Sequence, residues 1–140
     1  MSNNLVLIDT SVWILALRKS PLPVVRDEVE HLLMENRVAI VPMIRLELLG
    51  GTKLLNEFNR LKSRLDVLHQ IPTDEANWEA AAQLSFKLRQ LGKLIPYTDI
   101  LIGSAAILAN CLLLHVDKHF DLMAENTDLN ARSLASVVNK

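Results

Sequence analysis

The segment Leu5-Val6-Leu7-Ile8 contains no polar position, and a strand with none is buried on both of its faces. Residues 38–41 repeat the pattern before Pro42, residues 112–116 do so but for His115 before Asp117, and residues 67–71 read as a further strand before Pro72. Between these runs the periodicity turns helical. Thr10 or Ser11 can cap a helix over 12–18, which Ser20-Pro21-Leu22-Pro23 breaks. From Val24, the residues Val25, Val29, Leu32 and Leu33 form one stripe of a second helix. Residues 43–49 are helical up to Gly50-Gly51, and 54–65 carry Phe58, Leu61 and Leu65 on one side. Thr73 can cap a long helix to Leu91 that turns Ala81, Leu84, Leu88 and Leu91 inward, with Gly92 as its stop. Thr98 can cap an apolar helix from Asp99, followed by a turn near Asn110; a short helix covers 119–124, and no element is assigned after Asn126. Strands alternating with helices predict an α/β fold with a mostly parallel central sheet. Right-handed crossovers then bring consecutive strand ends to one edge, where such folds bind ligands.

At 140 residues, the span 1–140 is expected to form a single domain. Apolar residue types make up 50% and charged ones 22%, which argues against a disordered chain. With 15 basic and 16 acidic side chains the net charge is −1, which excludes a domain basic all over but allows a basic rim around an acidic cleft. The lone Cys111 excludes an intrachain disulfide and a multi-cysteine zinc site, and it suits a reduced, cytoplasmic setting. Residues 5–17 are apolar, but Asp9 interrupts them and Arg18 and Lys19 follow them, the reverse of a secretory signal. Residues 100–116 hold Ser104 and Asn110 between Asp99 and Asp117, so they read as a buried helix and strand rather than a membrane span.

Four carboxylates gather on this sketch. Asp9 ends the first strand and Asp117 follows the last, while Asp99 opens the apolar helix and Glu47 lies on the helix after the second strand. Two carboxylates about 5 Å apart repel by roughly 3 kcal/mol at an effective dielectric near 20. Six such pairs approach roughly 20 kcal/mol, more than the about 5–15 kcal/mol by which a domain is stable. Proton uptake, basic partners or cations must relieve that repulsion. An oxygen donor set without thiolates suits Mg²⁺ or Mn²⁺, and a hard divalent ion held by carboxylates commonly serves phosphate chemistry. Thr10 and Ser11 offer hydroxyls beside Asp9, for bound water or phosphate or for capping alone. Arg45 and Lys118 flank the acids as candidates for positioning a phosphate. His115 and His119 are assigned structural roles near the fourth acid, and Trp13 a place in the core or at a dimer contact.

The segments that carry these acids resemble one family. LVLIDTSVW (5–13) is similar to the opening strand and first acid of the PIN-domain nucleases, and LELLGG (46–51) to their second acidic motif. IPYTDILIGSAAI (95–107), with Pro96 three residues before Asp99, resembles the third, and LLLHVDKHFDLM (112–123) the fourth. Order and spacing agree across nearly the whole chain, with the greatest similarity to VapC-type toxins of type II toxin–antitoxin systems. The resemblance implies a three-layer α/β/α sandwich and an Mg²⁺- or Mn²⁺-dependent endoribonuclease that leaves a 5′-phosphate on RNA. It makes Asp9, Glu47, Asp99 and Asp117 the catalytic and metal-binding acids. It also implies a homodimer and a cognate antitoxin whose tail fills the active-site groove. His115 departs from the small hydroxyl residue that many relatives carry two positions before the fourth acid. Asp121 is an extra acid able to replace or assist Asp117. Other readings are a catalytically silent regulatory binding module on the same fold, and a DNA-directed nuclease. A haloacid-dehalogenase-type phosphatase is disfavoured, because the sequence after Asp9 lacks a second Asp two residues on.

Overall fold

The computed structural model describes residues 4–138. Strands β1 (Val6–Ile8), β2 (Val38–Ile40), β3 (His69–Gln70), β4 (Leu112–His115) and β5 (Ala131–Ser133) form one sheet of order β3-β2-β1-β4-β5, every pair parallel. The all-apolar run of β1 lies at the centre, where Leu7 pairs with Ala39 on one side and Leu113 on the other. All three residues of β1 and of β2 are buried, as expected of strands covered on both faces.

Helices α1 (Thr10–Leu17) and α2 (Pro23–Met34) connect β1 to β2, and α3 (Pro42–Gly50) and α4 (Leu55–Asp66) connect β2 to β3. Helices α5 (Glu75–Gln90) and α6 (Tyr97–Ala109) lead to β4, α7 (Lys118–Asn126) leads to β5, and α8 (Ala135–Val138) follows. Helix α1 packs on α2 and α3, while α6 packs on α5 and α7. Right-handed crossovers place these two layers on opposite faces of the sheet, which gives the α/β/α sandwich. Chain order runs outward from β1 in one direction and from β4 in the other. The strand ends of β1 and β4 therefore flank the switch point at which doubly wound sheets open a crevice.

Helix α6 is buried without a break from Ile100 to Ala106, so it has no solvent face along that stretch. A Cβ at Gly103 would run into the Met123 sulfur, so the bare glycine is what lets α7 approach. Asn110 ends α6 in the left-handed conformation at φ 54°, and the Cys111 N–H returns to the Ala106 carbonyl at 3.1 Å. Trp13 and Cys111 are core residues. Among the described residues no helix is long and apolar enough to cross a membrane.

Three helix starts differ from the sequence expectation. α1 begins at Thr10, so Asp9 is its cap in place of Thr10 or Ser11. Asp74, a stronger acceptor than its neighbour Thr73, caps α5. α6 starts after Pro96, whose fixed φ suits entry into a helix, and it has no side-chain cap. Leu33 and Leu91, expected inward, are 40% and 51% exposed because they lie off the buried arcs of α2 and α5. The strand expected over 67–71 shrinks to two residues, and β5 was not anticipated.

Candidate active site

Asp9 leaves the end of β1 and turns its carboxylate back over the start of α1. Its Oδ2 accepts the Ser11 N–H at 3.0 Å and the Ser11 O–H at 2.6 Å. The Ser11 oxygen in turn accepts the Val116 N–H at 3.1 Å, while the Asp9 N–H donates to the Leu114 carbonyl at 2.9 Å. One short segment thus ties the ends of β1 and β4 together beneath the first acid. Asp9 is 4% exposed. Burial pushes its carboxyl up, the Ser11 hydrogen bonds oppose that, and the charge of Asp117 adds to it.

Glu47 reaches the same place from α3, where its Oε1 accepts the Thr10 O–H at 3.0 Å. Desolvation pushes this carboxyl up; the Thr10 hydroxyl opposes and the charge of Asp9 adds. Asp99 stands in the first turn of α6. Burial, a hydrogen bond with Asp117 and the charges of Asp117, Asp9 and Glu47 push it up to about 8. Asp117 caps α7, its Oδ1 accepting the His119 N–H at 2.9 Å. Burial acts to raise it too, but the His119 N–H, the Asp99 hydrogen bond and the His119 charge hold it below the usual carboxylate range. Asp99 and Asp117 therefore behave as a pair sharing one proton at neutral pH. All four acids named from the sequence come together at the switch point.

His119, given a structural role from sequence, is part of this cluster. Its Nδ1 lies 3.0 Å from Asp117 Oδ1 and 3.4 Å from Asp99 Oδ2. The signal was its spacing: two residues after a capping Asp, a side chain in the first turn can fold back onto the cap. Ligand atoms of Asp99, Asp117 and His119 all fall within 4.8 Å of one another. The donor set, mostly carboxylate oxygens around a proton that a cation would displace, fits a hard divalent ion.

Asp121 does not join the cluster. It is exposed, and its carboxylate lies 3.5 Å from Nε2 of the fully buried His115. His115 Nδ1 accepts the Asp117 N–H at 3.1 Å, and burial pushes its imidazole toward the neutral form. Arg45 points elsewhere, contrary to expectation: it pairs with Asp66 at 2.7 Å, because α3 packs against α4 there. Lys118 is exposed at the first position of α7. A cleft of about 320 Å³ leads away from His119 between Arg89, Leu94, Pro96 and Tyr97, floored by Ile95.

Comparison with known proteins agrees with this layout. The profile of the PIN domain matches residues 6–126. The chain belongs to the PIN domain family. This PIN domain is 32% identical to Ribonuclease VapC11 of Mycobacterium tuberculosis over 133 residues, covering 92% of the chain and 98% of the relative. It is 27% identical to Ribonuclease VapC18 of the same organism, covering 86% and 88%. Among solved structures it resembles VapBC2 of Rickettsia felis bound to a DNA fragment from its promoter (TM-score 0.76, 25% identity, 92% and 98% covered). DNA-bound VapBC of Salmonella typhimurium shares the fold at a TM-score of 0.76 and 17% identity, with 95% and 98% covered.

Proposed function

We propose that this PIN domain is a divalent-metal-dependent endoribonuclease and the toxin of a toxin–antitoxin pair. The observation that carries the reading is the convergence of Asp9, Glu47, Asp99 and Asp117 from four distant segments onto one crevice. The VapC ribonucleases among its relatives support RNA as the substrate. In this reading the four acids are the metal ligands and Asp121, turned toward His115, is not one. Asp9, Glu47, Asp99 and Asp117 would hold Mg²⁺ or Mn²⁺, which when bound would supply polarisation of a phosphate oxygen and activation of water at neutral pH.

The residues around the acids have separable tasks. Ser11 fixes the orientation of Asp9, and Thr10 that of Glu47. Asp99 gives up the shared proton when positive charge enters. Lys118, exposed beside Asp117, is the remaining candidate for holding a substrate phosphate, since Arg45 is committed to Asp66. The cleft past His119 supplies room for the neighbouring nucleotide, and a cytoplasmic location goes with an RNA substrate.

Two protein partners belong to the proposal. The structural relatives are toxin–antitoxin complexes, which supports a cognate antitoxin. Trp78, Phe86 and Tyr97 are 59%, 67% and 72% exposed along a groove of about 430 Å³ between α5 and α6. That apolar band supports a homodimer, because a second copy would cover it.

The test is cleavage of a structured RNA with Mn²⁺, with chelator, and with DNA of the same sequence. The proposal expects cleavage of RNA only, only with metal, and lost in Asp9→Asn. Intact RNA at high protein excess, or equal cleavage by parent and variant in nuclease-free preparations, refutes it in favour of a silent binding module. Cleavage of the DNA instead moves the assignment to a DNA-directed nuclease.

A further inference from the structure

We infer that His119 is itself a metal ligand, so that the site prefers Mn²⁺ to Mg²⁺. The inference rests on the metal-dependent reading above and goes beyond it by naming a nitrogen donor. Its ground is geometric. Asp117 caps α7 and draws the His119 N–H onto its own Oδ1 at 2.9 Å, which fixes the backbone one turn from the cluster. From there the side chain returns to the same carboxylate, with Nδ1 at 3.0 Å from Asp117 Oδ1 and 3.4 Å from Asp99 Oδ2. The nitrogen thus occupies the position from which a third donor would complete the group whose atoms lie within 4.8 Å. The ring is one-third exposed and also borders the cleft beyond, so its far edge remains free to carry the proton on Nε2.

The choice of ion follows from the donor. Mg²⁺ prefers all-oxygen octahedra and retains its waters, whereas Mn²⁺ accepts a neutral imidazole. The alternative role for His119 is a counter-ion, an imidazolium that neutralises the two acids in place of metal. The two roles predict opposite signs. Removing a ligand weakens Mn²⁺ binding; removing a competing cation strengthens it.

The experiment titrates wild-type protein and His119→Gln with Mn²⁺, reading free ion by electron paramagnetic resonance, and with Mg²⁺ in competition. Pulsed resonance of the bound Mn²⁺ is recorded on wild-type protein with natural and with ¹⁵N-labelled histidine. The ligand role expects directly bound imidazole nitrogen that changes with the label and vanishes in the variant. It also expects Mn²⁺ binding weakened about tenfold, with Mg²⁺ binding changed by less than about twofold. The labelling arm uses the native chain and does not depend on how the variant folds. Bound Mn²⁺ without imidazole nitrogen, or tighter Mn²⁺ binding by the variant, overturns the ligand role while leaving the metal-dependent reading intact. Failure of wild-type protein to bind Mn²⁺ at all overturns both.

Discussion

Raising the pH of the metal-free protein from 6.5 to 8 is expected to destabilise it, and Asp99→Asn to reduce the effect. In the fold Asp99 holds its proton up to about pH 8; in the unfolded chain it releases it near 3.8. The folded state therefore binds the extra proton, and stability falls as the pH climbs toward 8. Integrated from pH 6.5 to 8, that one carboxyl accounts for about 1.7 kcal/mol. His115 works the other way. Burial pushes it toward the neutral form in the fold, so stability rises as the unfolded histidine loses its proton near 6.5, which offsets part of the loss. Of the other groups facing Asp99, Asp117 is ionised in both states throughout, whereas Asp9 and Glu47, also pushed up, act in the same direction as Asp99. The Asp99 contribution alone corresponds to about 5 °C in Tm for a chain of this length. Thermal unfolding in chelator-containing buffers measures it. Asp99→Asn should show a smaller fall, and saturating Mn²⁺ should offset the fall in the parent. A parent Tm that is flat or rising across the window, or a variant that falls equally, would refute the shared-proton account of the Asp99–Asp117 pair.

Other expectations follow from single contacts. Ser11→Ala removes a hydroxyl that donates to Asp9 and accepts from the Val116 N–H. It should cost about 1–3 kcal/mol in denaturant unfolding and weaken Mn²⁺ binding, with Ser11→Thr recovering part of both. Arg45→Gln should leave Mn²⁺ binding and RNA cleavage unchanged, because the guanidinium is turned to Asp66; a selective loss of cleavage would return it to the active site. Gly103→Ala gains helix propensity but drives a methyl group into Met123, for a net loss of about 1 kcal/mol measured by chemical denaturation.

The parts of this molecule that could be read from sequence are those where one residue type has one physical outcome. Leu5 to Ile8 has no polar residue, and only a doubly covered strand accommodates that. Asp9, Asp99 and Asp117 were legible because they end strands or open helices around one sheet edge, and Glu47 because its helix follows the second strand. β5 was not, because Ala131 and Ser133 are half-buried and Arg132 points outward, a pattern also typical of loops. β3, at the opposite edge, was expected over 67–71, but its length was not legible, since only His69 and Gln70 pair. The caps shifted by one or two residues because neighbouring Asp, Thr and Ser compete for the same backbone N–H groups, and tertiary packing decides among them. His119 and Arg45 were misjudged for a common reason. Where a long or flexible polar side chain turns depends on which carboxylate the fold places nearby.

The position of β1 has a consequence for biosynthesis. Of the five strands of the sheet β1 is translated before the others and becomes the middle one, and its partner β4 begins only at Leu112. Until β4 and the start of α7 have been translated, Asp9 lacks its Leu114 partner, Ser11 its Val116 partner and Asp99 its proton-sharing neighbour. A nascent chain therefore carries an incomplete reaction centre until those segments are made. A cell making such a nuclease is exposed to it only once these later segments have been made, which leaves an interval for an inhibitor to be waiting.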